Sequence, residues 1–230
     1  MGSVSRHFPS PLVRKLAESL PTEASAESAV PSYTHRYPPI RWLMFRRLDV
    51  IRKMVLGELA QGGTRRGGRT ALDFGCGIGM MIPVLATSVE TYYMCDEQLT
   101  PARATVEWFH ADNVVCLTPE ELEGKIEDSS LDIVIAADVL EHVDDLTGVV
   151  DVLRRKMRIH GAMIVSGPTE SWAYRCGRRI AGFSGDYHVR GVFEVEEGIR
   201  KAKLARERLR RLPFPLAPTL FRITLWRRVV

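Results

Sequence analysis

The chain is poor in cysteine, with four in 230 residues: Cys76, Cys95, Cys116 and Cys176. None are paired at zinc-site spacing, which excludes a cysteine-built metal centre. Three lie in or beside apolar runs that read as strands, so they are expected as free core thiols of a reducing compartment. Long apolar runs are also missing, and no segment reads as a membrane span. Met1-Gly2-Ser3-Val4-Ser5-Arg6 has Arg6 where a myristoylation signal wants Ser or Thr. Nothing there reads as a secretory leader. The expected location is therefore cytoplasmic. Aromatic residues make up 8% of the chain and are not interleaved with the basic clusters, which argues against a nucleic-acid module.

What is present suits one domain with a terminal extension. Hydrophobic residues are 45% of the chain, enough for a sizeable core. The net charge is +4, with basic clusters at Arg46-Arg47, Arg65-Arg66, Arg154 to Arg158, Arg178-Arg179 and Arg206 to Arg211. Those clusters read either as solvated faces or as surfaces for anions or a lipid headgroup layer. Residues 1–36, rich in Ser, Pro, Ala and Glu, read as a partly disordered arm or flap with one helical pattern at Leu12–Leu20. A domain over residues 37–230 follows. It opens with a helix over 40–60, in which Met44, Leu48, Ile51 and Val55 share one stripe. Arg46, Arg47, Arg52 and Lys53 are expected largely off that stripe.

The most informative stretch is Thr70-Ala-Leu-Asp-Phe-Gly-Cys-Gly-Ile-Gly-Met80. A short strand delivers Asp73, and then Gly75, Gly77 and Gly79 alternate. The apolar segment from Met80 to Ala86, with Pro83 in its first turn, reads as helix. Strand, glycine turn and helix open a nucleotide pocket in a parallel α/β fold. The dinucleotide pattern GxGxxG needs its third glycine where Met80 stands. Asp73 would sit badly beside a pyrophosphate, and an acid there suits a ligand carrying a positive group. Leu72-Asp73-Phe74-Gly75-Cys76-Gly77-Ile78-Gly79 resembles the first motif of the Rossmann-like (class I) S-adenosylmethionine-dependent methyltransferases. The resemblance covers residues 68–168 in motif detail. It implies an α/β three-layer Rossmann-like sandwich around a mostly parallel seven-stranded sheet with an antiparallel last strand.

Along the chain, Thr91–Cys95 reads as the second strand and delivers Asp96 and Glu97. An acid about twenty residues beyond the loop falls where this fold places one on a ribose. The resemblance assigns that role to Asp96, and places Asp73, Gly75, Cys76, Gly77, Gly79 and Glu97 around S-adenosylmethionine. After the third strand (Asn113–Leu117) the family often has an acid; here Thr118 stands, and backbone groups near it are the candidates for adenine. Leu131–Ala137 reads as a buried strand ending in Asp138-Val-Leu-Glu141-His142, which resembles the fourth family motif. Asp138 is thereby expected near the methionine part of the cofactor. Helix from Val150 to Met157, strands at Gly161–Ser166 and Arg206–Leu212, helix at Glu194–Leu204 and a closing strand at Leu220–Trp226 complete the order. In the segment 169–192, Trp172, Tyr174, Arg175 and Tyr187 are the candidate substrate residues.

The implied activity is methyl transfer from S-adenosylmethionine to a small or lipid-like acceptor, at oxygen. A hydroxyl acceptor needs a base; His142 is the first candidate and His188 the second. Asp138, Glu141 and His142 sit at i, i+3 and i+4, one face of a helix if the segment is helical. With His188 they form a second possibility, a divalent-cation site similar to that of small-RNA 2′-hydroxyl methyltransferases. A nicotinamide oxidoreductase and a non-catalytic cofactor- or RNA-binding protein are the alternatives from other classes.

Overall fold

Strand β1 (Thr70–Phe74) is buried from Ala71 onward, as a strand covered on both faces has to be. The computed structural model describes residues 8, 10–18, 30–61, 68–180, 190–215 and 218–229. Seven strands form one sheet in the order β3-β2-β1-β4-β5-β7-β6. Strand β7 runs antiparallel to both of its neighbours, as expected for the last strand. The chain divides into two compact units, residues 1–125 and 126–230.

In the first unit β1 pairs in parallel with β2 (Thr91–Cys95), and β2 with β3 (Val114–Leu117). Before them lie α1 (Ser10–Glu18), α2 (Val30–Tyr33) and α3 (Pro38–Gln61). The rest of the unit is α4 (Ile82–Leu85), α5 (Thr100–Phe109) and α6 (Pro119–Lys125). The helix after the glycine loop is thus a single turn, shorter than the apolar run suggested. The α3 stripe Met44, Leu48, Ile51 and Val55 is buried throughout. Arg47 departs from expectation: it is almost wholly buried, and its Nη2 donates to Tyr33 Oη at 3.0 Å. The described part of the arm packs against the unit. Phe8, Leu12, Val13 and Leu16 are buried, and the Phe8 ring lies 5.4 Å from that of Phe109.

The second unit holds β4 (Leu131–Ala137), α7 (Leu146–Lys156), β5 (Met157–Pro168) and α8 (Trp172–Ile180). Helix α9 (Val192–Lys201) and the hairpin β6 (Leu204–Pro213) and β7 (Thr219–Arg228) follow. Helix α7 starts four residues earlier than the apolar pattern indicates, because Asp145 caps it: its Oδ1 accepts from Gly148 N at 2.9 Å. Met157, expected at the end of that helix, instead opens β5 opposite Leu131.

A buried ion cluster ties α9 to the hairpin. Glu196 Oε1 and Oε2 accept from Arg222 Nε and Nη2 at 2.6 and 2.8 Å, and Oε2 also from Arg206 Nη1 at 2.8 Å. Removing the carboxylate strands a buried guanidinium. Glu196→Ala is therefore expected to cost about 3–5 kcal/mol in urea unfolding. The double change Glu196→Ala/Arg222→Met should cost less than Glu196→Ala alone; an equal or larger loss contradicts the pairing.

Candidate functional site

In the first unit the glycine loop is held by the end of β2. Gly75 N and Cys76 N both donate to Cys95 O, at 2.8 and 3.2 Å. Gly75, Gly77 and Gly79 adopt φ of 72°, 53° and 78°, the left-handed region that a side chain resists. The last two need glycine for different reasons. A Cβ on Gly79 would stand 2.8 Å from Ile82 Cδ1 and 3.0 Å from Met94 Cε, whereas one on Gly77 would meet nothing within 4 Å. Gly79 is a packing requirement, and Gly77 faces open space.

Asp96 closes the loop from β2. Its Oδ2 accepts from Gly77 N at 2.8 Å and its Oδ1 from Gln98 N at 3.1 Å. An ionised carboxylate has about four acceptor sites, so these two bonds leave each oxygen a site for a hydroxyl. Thr105 Oγ1, in α5, donates to Ile78 O at 2.7 Å and pins the loop from another side. Sequence reasoning missed that contact because Thr105 lies 27 residues away. Glu97 is exposed. The Thr118 amide is already engaged, donating to Glu121 Oε2 at 3.0 Å as the cap of α6.

Asp73 is buried, and its Oδ2 accepts from Tyr92 Oη at 2.9 Å. Burial pushes the carboxyl up to about 7; the Tyr92 bond opposes this and the Asp96 charge adds to it. Tyr92 pairs with Ala71 across the ladder, so period two puts it on the face that carries Asp73. The pairing register, invisible in sequence, creates the bond. Burial holds the Cys76 thiol well above its ordinary range and pushes Cys95 up to about 12, so both stay protonated and neither is a nucleophile.

In the second unit Asp138 follows β4 with φ 55°, a strained conformation for a residue with a side chain. Ser166 of β5 holds it in place. Asp138 N donates to Ser166 O at 2.9 Å, and Ser166 Oγ donates to Asp138 Oδ1 at 2.8 Å. Residues 138–145 form turns, not a helix, and Glu141 is buried while His142 is exposed. The condition for one shared helical face, that this segment be helical, is therefore not met. No group of three or more His, Cys, Asp or Glu among the described residues is placed to hold a metal ion. His188 and Tyr187 lie outside the described residues. Arg190 was not singled out from sequence, yet it binds this loop three times. Its amide donates to Glu141 O at 3.3 Å, and its guanidinium donates to Val143 O and, at 2.7 Å, to Asp144 O. Of the candidate substrate residues, Trp172 and Arg175 are exposed, and the Tyr174 ring meets Phe221 edge-on at 5.6 Å.

Residues 72–165 match the family described as a methyltransferase domain. No curated protein matches the chain in sequence. Among solved structures, magnesium protoporphyrin IX methyltransferase from Synechocystis, with bound S-adenosylhomocysteine, aligns with a TM-score of 0.65 at 17% identity, over 96% of this chain and 100% of its own. N-methyltransferase NodS from Bradyrhizobium japonicum gives 0.62 at 15% identity over 99% of both chains. A SAM-dependent methyltransferase from Aquifex aeolicus gives 0.60 at 17% identity, over 96% of this chain and 100% of that one. At such identities the structures establish the fold, which is shared with S-adenosylmethionine-dependent methyltransferases, and the family match identifies residues 72–165 as a methyltransferase domain.

Two measurements check the site chemistry. The folded Asp73 binds its proton more tightly than the unfolded chain does, so stability should fall by a few kcal/mol as pH rises from about 4 to about 7. Denaturant midpoints against pH should show that slope, and Asp73→Asn should flatten it; an identical slope in both proteins contradicts it. Gly77→Ala should cost only about 1–2 kcal/mol of backbone strain yet lose cofactor affinity, while Gly79→Ala should lose more stability. Calorimetry beside urea unfolding separates the two.

Proposed function

We propose that the protein transfers the methyl of S-adenosylmethionine to an oxygen of a small or lipid-like molecule in the cytoplasm. The observation that carries the reading is the glycine turn left open before Gly77 and clamped by a carboxylate with acceptor sites to spare. Those features fit the donor's ribose. Asp96 would take its two hydroxyls, and the loop backbone from Gly75 to Gly79, with Cys76 buried beneath, would lie against the nucleoside. Asp73 would complement its positive amino end. Glu97 and Thr118, at the ends of β2 and β3, would border the adenine. When bound, S-adenosylmethionine supplies a methyl group activated on a sulfonium.

The residues after β4 would serve the acceptor. Asp138, fixed by Ser166, would line the methionine end. The similar structures include an N-methyltransferase and a porphyrin methyltransferase, so the fold leaves the acceptor atom open. Oxygen is favoured here by His142, an exposed imidazole on a loop that Arg190 holds. A hydroxyl must lose its proton as it attacks, whereas a neutral amine already carries a free lone pair. Of the candidate substrate residues on α8, Tyr174, braced on Phe221, would border the acceptor, while Trp172 and Arg175 face outward.

Replacing His142 by Ala should lower kcat about 10²–10⁴-fold and leave the dissociation constant for S-adenosylmethionine unchanged. The readout is radiolabelled methyl transfer across a panel of hydroxylated acceptors. Undiminished turnover in the variant would remove His142 from the reaction. Faster transfer to amines than to hydroxyls would overturn the assignment to oxygen.

A further inference from the structure

Two large aromatic side chains stand in solvent at one end of the second unit's strands. Trp172 is 73% exposed and Phe214 59%. They come from elements joined there. Trp172 opens α8, and Ser171 Oγ before it donates to Thr219 O at 3.3 Å. Thr219 opens β7 and pairs with Pro213, the last residue of β6, whose neighbour is Phe214. Phe193 lies apart from them: the Arg222 guanidinium stands 4.8 Å over its ring, on the face of β7 opposite to Phe221, on which Tyr174 of α8 packs. A monomer seldom gathers such residues in one exposed region without using them.

Charge accompanies them. Trp172, Arg175 and Arg179 recur at steps of three and four, so they share one face of α8, and all three are exposed. Tyr174 on the other side packs edge-on against Phe221 at 5.6 Å, and Tyr174 N donates to Ser171 Oγ at 3.3 Å. The helix is thereby held with its tryptophan and arginines outward. The acids nearby are Glu170 and Glu194. Glu207, at the far end of β6, is tied to Arg227 at 2.6 Å. No described helix is long and apolar enough to cross a membrane, so such a surface would lie on a bilayer and not in it.

We propose that this end of the second unit is a docking surface for an anionic lipid bilayer. Trp172 and Phe214 enter the boundary between headgroups and acyl chains, and Arg175 and Arg179 meet the lipid phosphates. Aromatic rings that anchor at that depth, flanked by guanidinium groups that bind phosphate, match this occupant in both chemistry and charge. Strands β4 and β5 end on the same edge, where open α/β sheets hold their ligands. Docking would therefore present the acceptor side of the enzyme to the membrane. That consequence rests on the proposed function; the docking surface itself does not.

The test is flotation of the full chain with phosphatidylcholine vesicles, with and without phosphatidylglycerol. Binding should be at least about tenfold tighter to the anionic vesicles and should weaken with salt. Arg175→Glu/Arg179→Glu should abolish the preference. Trp172→Ser/Phe214→Ser should weaken binding about tenfold, with the unfolding midpoint and S-adenosylmethionine affinity retained. Phe214→Ser alone, at the hairpin tip, gives the same direction should the helix variants fold poorly. Equal binding to neutral vesicles, binding indifferent to these substitutions, or preferential capture of a single-stranded RNA oligonucleotide overturns the proposal. Vesicle binding without methyl transfer to any acceptor overturns the proposed function and leaves the surface standing.

Discussion

The hydrogen bond from Gly77 N to Asp96 Oδ2, at 2.8 Å, is the constraint on which the cofactor half depends. It joins the two parts of the chain that the proposed nucleoside site draws on: the turn after β1 and the end of β2. The turn is left-handed at Gly75, Gly77 and Gly79 and would not keep that shape unaided. Cys95 O takes two of its amides, Asp96 takes a third, and Thr105 takes the Ile78 carbonyl. The cradle is thus assembled before any ligand arrives, which lowers the ordering cost of binding. The same clamp fixes the carboxylate that the proposed ribose contact requires.

The second unit uses a parallel device. Asp138 is strained at φ 55°, and two hydrogen bonds with Ser166 hold it there. Arg190 ties down the following residues through three carbonyls. In both units the residues proposed to face ligand are short loop residues fixed by groups from the core of the sheet. This follows the general division between rigid scaffold and functional loop. The buried Glu196 cluster keeps the final hairpin in place, at the desolvation cost common to interior ion pairs.

Much of this was legible in the sequence, for identifiable reasons. Strands such as Leu131–Ala137 are buried along nearly their whole length, so their apolar runs stand out. The glycine spacing and Asp96 could be read because backbone turns constrain residue type locally. What stayed hidden depends on tertiary register. The Tyr92–Asp73 bond exists only because Ala71 pairs with Tyr92. Arg47 is buried because Tyr33, fourteen positions away, offers a hydroxyl. The turn at 138–145, which keeps Asp138, Glu141 and His142 off a common helical face, was not legible, since a left-handed Asp cannot be anticipated without the Ser166 partner. The start of α7 was missed because the apolar pattern alone was followed, although Asp145, a capping residue type, stands just before Leu146.

The most direct check on the central claim is a crystal structure of the protein grown with S-adenosylhomocysteine. The account predicts both ribose hydroxyls within hydrogen-bond distance of the Asp96 carboxylate, and the nucleoside lying against the backbone at Gly77. A ligand seated elsewhere, or an Asp96 carboxylate still bound only to the amides of Gly77 and Gln98, would contradict it.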